Sequence, residues 1–505
     1  MGCFMNRIAA VSLVALIAAC SQEGSVATAQ SADDALAFFH LDTAETGRLA
    51  FGSVETRGAA RVFSDVVLEN DQGDEVRIET LRLVNPRMTE TGGVFDAMEF
   101  VNLVSSGDEG AVSVGRLLIE DPNERLAALV SAALSEEGPD EDADWGEPTD
   151  YSFGSLVVEN VNATGEDGGA LTLDALRFNG FSGGVLEQFS LEGLGGAGES
   201  DTGEAASFAL GSWVINGLDA RGLDALAALD HADDMEVQRA IAESGFNDPF
   251  VKRFDDYAMA DVRLDVDGVI VALERVDGEA RQTRGGLETE ARLRGLVVSF
   301  DEKRGAGAQA AEGLARLGYD RLVIDGDVVQ RADEQGDRLV SDQYELRVED
   351  AFTLSADYDV SGVAAYMKNA AKLGMTQNAS FDPDDLAAAM GPLLINAFAL
   401  EITDQSFVDR ALAAAAAEQG STPEAMRQQA TALLAIGSLM APPGPAQAFV
   451  GDAIAALSEF MENPGTLRIA VAPDQPVSVG ALMEASGSGD PGPALALLNV
   501  TIEAE

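Results

Sequence analysis

The sequence predicts an α+β protein: an extended, twisted antiparallel β meander with helices on one face and a mostly helical C-terminal third. Three observations carry this. Short apolar runs of two-residue period recur between Gly/Asp/Asn/Ser loops from about residue 35 to 302. These runs fall into two alternating half-motifs, which reads as a degenerate hairpin repeat. Helical periodicity and alanine-rich composition then dominate beyond residue 405.

At the N-terminus Arg7 forms a short basic region, Ile8 to Ala19 form an apolar run, and small Ala18 and Ala19 precede Cys20. The run is shorter than the roughly 20 residues needed to cross a bilayer core. Leu16-Ile17-Ala18-Ala19-Cys20 resembles the lipobox of bacterial lipoprotein precursors, which implies cleavage before Cys20 and acylation of its sulfur. The signal then spans residues 1–19, and a small, polar, flexible tether spans 20–34. One acyl chain holds a protein marginally whereas two or more anchor it stably. Ser21, in place of an aspartate, is similar to lipoproteins passed on to the outer membrane. The resemblance therefore implies a lipid-anchored protein of the cell envelope, facing the periplasm. An ordinary secretory signal, cut after Ala18-Ala19 or near Ala27-Thr28-Ala29, is the competing reading.

The region 35–302 carries the repeat, with two helical insertions. A first half places apolar residues at i, i+3 and i+5: Phe63, Val66, Leu68; Phe95, Met98, Phe100; Phe153, Leu156, Val158; Leu186, Phe189, Leu191; Met259, Val262, Leu264. A second half places them at i, i+2, i+5 and i+7: Val76 to Leu83, Val112 to Ile119, Leu171 to Phe178, Phe208 to Ile215 and Ala291 to Val298. Each half breaks strict alternation once, which a strand absorbs as a bulge or bend. Three first halves run into a glutamate: Glu69, Glu159 and Glu192.

Residues 303–404 continue the antiparallel sheet. Tyr344 to Val360 alternates apolar and polar so regularly that one face is dry and the other wet. At full extension it would span about 56 Å, so a turn is expected near Glu349-Asp350. Helices are expected at about Asn123–Leu134, Leu218–Glu243, Gln309–Leu317, Gly362–Leu373, Pro383–Met390, Ser406–Glu418, Pro423–Met440 and Ala446–Phe460. Ser421-Thr422-Pro423-Glu424 supplies a hydroxyl cap, a first-turn proline and an early acid. The region 405–505 is thus helical, closed by strands at Thr466–Val471 and Asn499–Glu503 that rejoin the sheet.

Net charge is −54, and loss of Arg7 with the signal takes the mature chain to about −55. Such a field disfavours nucleic acid and anionic headgroups as partners. The acids are spread along the chain, so a solvated surface accounts for them. Only Cys3 and Cys20 occur, and Cys3 leaves with the signal; an intramolecular disulfide is ruled out and burial must hold the fold.

His40 and His231 are the two histidines, and neither lies near a cysteine, the other histidine or a glycine-framed serine. A Ser-His-Asp triad or a histidine-rich zinc site has little to build on. Asp140-Glu141-Asp142-Ala143-Asp144 resembles the start of a calcium loop, but Trp145 stands where an EF-hand needs glycine and Tyr151 where it needs a bidentate acid. It reads as a solvated linker. Gly193-Leu194-Gly195-Gly196-Ala197-Gly198 precedes acids that repel phosphate, and reads as a hairpin tip. Trp213 occupies a repeat position and is expected in the core. No catalytic, cofactor or metal residue is assigned; Cys20 is the one modification site.

From about Phe51 to Asp404 the long meander of hairpins is similar in style to the AsmA-like and related β-groove proteins of the Gram-negative envelope. That resemblance implies a curved sheet with one apolar face that either shields lipid or is buried under helices, and it transfers no site residue. The expectation is a non-enzymatic lipoprotein, held to the membrane by its N-terminal lipid, with envelope lipid or envelope proteins as partners. A carboxylate-dependent periplasmic hydrolase and a calcium-sensitive adhesion or scaffold protein are the alternatives.

Overall fold

The computed structural model describes residues 32–46, 49–69, 75–107, 110–135, 148–165, 168–199, 205–221, 248–376, 388–438, 445–486 and 492–505. They form an α+β protein dominated by an antiparallel β meander, with several helices. The chain divides into two compact units: Met1–Ala232 with Arg253–Val266, and Asp233–Lys252 with Asp267–Glu505. The division at 266/267 falls inside the stretch that the repeat pattern treats as one region.

In the first unit, helix α1 (Ala32–Phe38) is followed by strands β1 (Glu45–Thr46), β2 (Leu49–Ala50), β3 (Ser53–Arg57), β4 (Ala60–Glu69) and β5 (Glu75–Val84). A small separate hairpin, β6 (Arg87–Met88) and β7 (Gly93–Val94), leads to β8 (Ala97–Gly107) and β9 (Gly110–Glu120). After helix α2 (Glu124–Leu134) come β10 (Ser152–Gly165), β11 (Ala170–Ser182), β12 (Val185–Glu199), β13 (Ala205–Asp219) and β14 (Asp256–Val266). From β4 onward each long strand pairs antiparallel with the next.

The first four repeats are strand pairs β4/β5, β8/β9, β10/β11 and β12/β13, as the spacing predicts. The fifth is a correction: a strand at Val269–Thr283 lies between Met259-Val262-Leu264 and Ala291 to Val298. Its pattern is Val271, Leu273, Val276, Gly278, and these pair with Val298, Leu296, Leu293 and Ala291. Glycine at the last apolar position hid the strand.

The breaks in alternation line up from strand to strand. Asp65, Asn102, Asn160, Gly193 and Asp261 sit within alternate strands with left-handed φ of 54°, 53°, 56°, 64° and 56°. Their neighbours at the same level are Glu79, Gly115, Asp174 and Gly211, and the regular ladder skips this level in every pair while the register beyond it is kept. The result is a crease running across the unit. Asn, Asp and Gly tolerate the left-handed conformation best, which is why these types recur there. Each crease residue returns the next apolar side chain to the same face, so Phe63 and Val66, or Leu191 and Leu194, all point into one core.

That core is covered by the helices. Asn123 caps α2, its Oδ1 accepting from the Leu126 N–H at 3.0 Å. Leu126, Val130 and Leu134 recur at four-residue spacing and are buried with Phe63, Leu81, Met98 and Leu156. Leu36 and Phe39 join them, so α1 begins at Ala32 and the tether expected over 20–34 ends earlier. The Ser131 hydroxyl donates to the Phe38 carbonyl at 2.5 Å, tying α2 to the end of α1.

The second unit runs β15 (Val269–Thr283), β16 (Gly286–Phe300), helix α3 (Gly305–Arg316), β17 (Arg321–Asp333), β18 (Arg338–Val348), β19 (Phe352–Ser361), helix α4 (Val363–Thr376) and β20 (Leu394–Asp404). Helices α5 (Phe407–Gln419), α6 (Pro423–Ser438) and α7 (Pro445–Glu462) follow, then β21 (Thr466–Val471), β22 (Val477–Ser478), α8 (Val479–Ser486), α9 (Gly492–Leu498) and β23 (Val500–Ala504). The turn expected near Glu349-Asp350 is there, with Asp350 at φ 55°. The closing strands rejoin the sheet: β21 pairs with β20, and β23 with β21. Leu314 and Tyr319 pack with Val348 and Ala351, with Ile324 and Phe352 against them. Helices α8 and α9 are additions to the expected set, too short to show a clear period. The helix expected at Pro383–Met390 lies largely outside the described residues, as does most of Leu218–Glu243, whose first two residues end β13 instead.

Candidate functional site

The apolar face of the first unit is not equally buried along its length. Met98, Ile119 and Leu156 are closed off, and Phe178 and Phe181 of β11 remain buried. Beyond β11 the same face opens: Phe189 and Leu191 of β12 and Trp213 of β13 are half-buried, and Leu264 of β14 is 44% exposed. Register places Leu194, Leu210 and Val262 in one row and Gly196, Phe208 and Leu264 in another. Phe178, Phe189 and Trp213 step across three strands with ring centroids 5.4 and 5.2 Å apart. Trp213 thus lies on the apolar face that its repeat position predicts, at the opening and not in the closed core.

The run Gly193–Gly198, expected as a hairpin tip, lies instead within β12 and pairs with β13, and its Gly196 explains the shape locally. A Cβ there would come within 2.4 Å of the Phe208 ring, so the missing side chain lets that ring lie down on the neighbouring strand. The surface between β12 and β14 is consequently a shallow apolar strip.

The opposite face is closed by its own charges. Arg82, Glu99, Arg116, Glu159, Arg177 and Glu192 come from β5, β8, β9, β10, β11 and β12 and alternate in sign. Successive contacts are 3.5, 2.7, 3.3, 3.0 and 3.2 Å. Hydrogen bonding to Glu99 raises the Arg116 pKa above its ordinary value, burial opposing. Beside this ladder runs a second one of amides: Asn179 donates to Gln188 at 3.2 Å, Gln188 to Asn216 at 3.1 Å, and Asn216 to the Asp256 carboxylate at 2.7 Å. Sequence reading missed both ladders. The signal available was the glutamate ending the first halves, since Glu159 and Glu192 meet an arginine one residue past the core position Leu176 on β11.

Two clefts are formed by described residues of the second unit. One, of about 490 Å³, lies between α6 and α7 and is lined by Ala430, Leu433, Leu434, Val450, Ile454 and Met461. The other, of about 520 Å³, is polar and includes Asp333, Arg338, Ser361 and Asn396. Beside it Asp359 accepts from Arg338 Nε at 2.7 Å and from Asn396 Nδ2 at 2.8 Å. The Arg338 hydrogen bond holds the Asp359 carboxyl below the usual carboxylate range, against the opposing effect of burial. A depressed native pKa stabilises above the unfolded value near 3.9 and is lost as pH falls through the lower native value. Asp359→Asn is therefore expected to lower stability at pH 7 by on the order of 1–3 kcal/mol, a deficit that shrinks toward pH 3. Urea unfolding of both proteins at the two pH values measures it; a deficit independent of pH would exclude the carboxylate as its source.

Among the sequence-nominated residues, Cys20, His231, Trp145 and Asp140 to Asp144 lie outside the described residues. His40 follows α1 with φ 58° and is half-buried. The two clefts contain no histidine. Among the described residues no group of three or more His, Cys, Asp or Glu is placed to hold a metal ion, and no helix is long and apolar enough to cross a membrane.

A family model described as "Uncharacterized protein" matches residues 345–505, which begins within β18 and takes in all the C-terminal helices. No curated protein matches the chain.

Proposed function

We propose that this chain is a non-enzymatic lipoprotein of the bacterial envelope, anchored through acylated Cys20 and shielding lipid hydrocarbon on the open part of its apolar sheet face. The observation that carries the second half is the strip from Phe189 to Leu264. Phe189, Leu191 and Leu194 pack against the buried core, and strand register carries the same face on through Leu210 and Val262 to Leu264, with side chains half-buried or exposed. Apolar surface left in water costs about 25 cal/mol per Å², so a strip of this kind favours an apolar occupant. Strands β12 to β14 are roughly 10 Å across at the usual strand spacing, wide enough for an acyl chain to lie on them. The charged face offers no comparable opening, because its arginines and glutamates satisfy one another.

The test is protein purified from its native membrane. The N-terminal peptide is expected to carry acyl groups on Cys20 by mass spectrometry, and solvent extraction is expected to release lipid in near-stoichiometric amount. Leu210→Glu, which places a charge on the strip, should fold and lose that lipid. An unmodified Cys20 thiol would refute the anchor; a folded Leu210→Glu protein with full lipid content would refute the shielding.

A further inference from the structure

We infer that the hairpin of α6 and α7 is a second membrane contact, which seats its apolar surface in the interfacial region of a neutral bilayer. On α6, Leu433 and Ile436 are 62% and 56% exposed and lie on one side of the helix. Beside them Ala430 and Leu434 line the apolar cleft with Val450 and Ile454 of α7.

The sequence that carries Ala430, Leu433, Leu434, Ile436 and Val450 has an unusual property, whereas Ile454 and Met461 lie beyond it on the part of α7 that bears Asp452, Glu459 and Glu462. From Gln428 to Gly451 there is no charged residue, although 23% of the chain is charged and its net charge is −54. Arg427, paired with Asp409 at 2.5 Å, and Asp452 mark the two ends of this stretch. Charge is what an apolar phase rejects, and a long neutral stretch is what such a strongly anionic chain needs to approach one.

A second copy or another protein fits less well. Stable protein interfaces use roughly 20–30 residues a side and centre on Trp, Tyr or Arg anchors. The surface here is a few aliphatic side chains and Met461, with no aromatic or arginine among Ala430, Leu433, Leu434, Ile436, Val450 and Ile454. Self-association also sets two strongly anionic chains against each other. A bilayer demands neither complementary shape nor anchors.

Leu433 and Ile436 together hold a protein only weakly, so the contact forms in a chain already kept near the surface, where effective concentration is in the millimolar range. To that extent the inference rests on the lipid-anchor reading. It orients the second unit toward the membrane that Cys20 would hold.

The test removes the dependence on Cys20. The mature chain from Ser21, given an N-terminal histidine tag in place of the acylated cysteine, contains no other cysteine. Ile436→Cys and, as control, Glu334→Cys, on an exposed turn, are labelled with an environment-sensitive fluorophore. Each is bound to phosphatidylcholine vesicles containing nickel-chelating lipid. The label at 436 is expected to shift to the blue and to be quenched by nitroxide lipids, and the label at 334 to do neither; Leu433→Cys should behave as 436. Vesicle-bound protein whose label at 436 is unchanged overturns the inference. So does a label at 436 already blue-shifted without vesicles: concentration dependence would then indicate a second copy, and concentration independence would indicate cover by the chain itself. Acylation of Cys20 is read separately by mass, so failure of one leaves the other standing.

Discussion

Phe63→Ala is expected to destabilise the first unit by about 3–5 kcal/mol, a large part of the 5–15 kcal/mol that holds a typical domain. Phe63 is fully buried, faces Leu81 across β4 and β5, and meets Phe51 edge-on at 5.0 Å. Removing the ring leaves a cavity walled by side chains on a hydrogen-bonded ladder, which cannot collapse to fill it. Trp213 lies in β13 of this unit, so fluorescence-detected urea unfolding reports on it. Leu264→Ala is the contrast, since its side chain is 44% exposed and should cost under about 1 kcal/mol. Equal effects at the two positions would mean that the apolar face is not graded from closed to open.

Asn160→Val is expected to cost about 2–3 kcal/mol, and Asn160→Gly under about 1 kcal/mol. Asn160 holds φ 56° in the middle of β10, a conformation hostile to a β-branched side chain and easy for glycine. Its Cβ also lies 2.9 Å from where a Cβ on Gly115 would be, so the crease is tight on both sides. Strand propensity by itself favours valine. The comparison therefore separates the demand of the crease from ordinary β preference: similar losses for valine and glycine would show that the amide side chain, and not the left-handed backbone, is what the position needs. Thermal or urea melts of the two variants supply the answer.

Much of the fold was legible because period is a local property. The i, i+3, i+5 spacing of Phe63, Val66 and Leu68 announced both a strand and its irregularity, and Asp65 is where the left-handed residue sits. The run Asn123–Leu134 announced a helix, and Tyr344 to Val360 announced two strands with a turn. What escaped has an equally local cause. Gly278 blanked the pattern of β15, and the short helices α8 and α9 carry too few turns to show a period. The strip ending at Leu264 was foreseen only as one of two possibilities, because a residue's periodicity is the same whether its face is covered or open.

By itself the sequence determined that this is a strand-rich, cysteine-poor, strongly acidic protein with a lipobox-like start, since composition and periodicity are carried by each residue and its near neighbours. Only the tertiary structure decided which strands stand side by side. That choice aligned the crease residues, joined six charges into a ladder across strands up to about a hundred residues apart, and left Phe189 to Leu264 half-covered. Register and cover depend on pairings between distant segments, which local pattern does not specify.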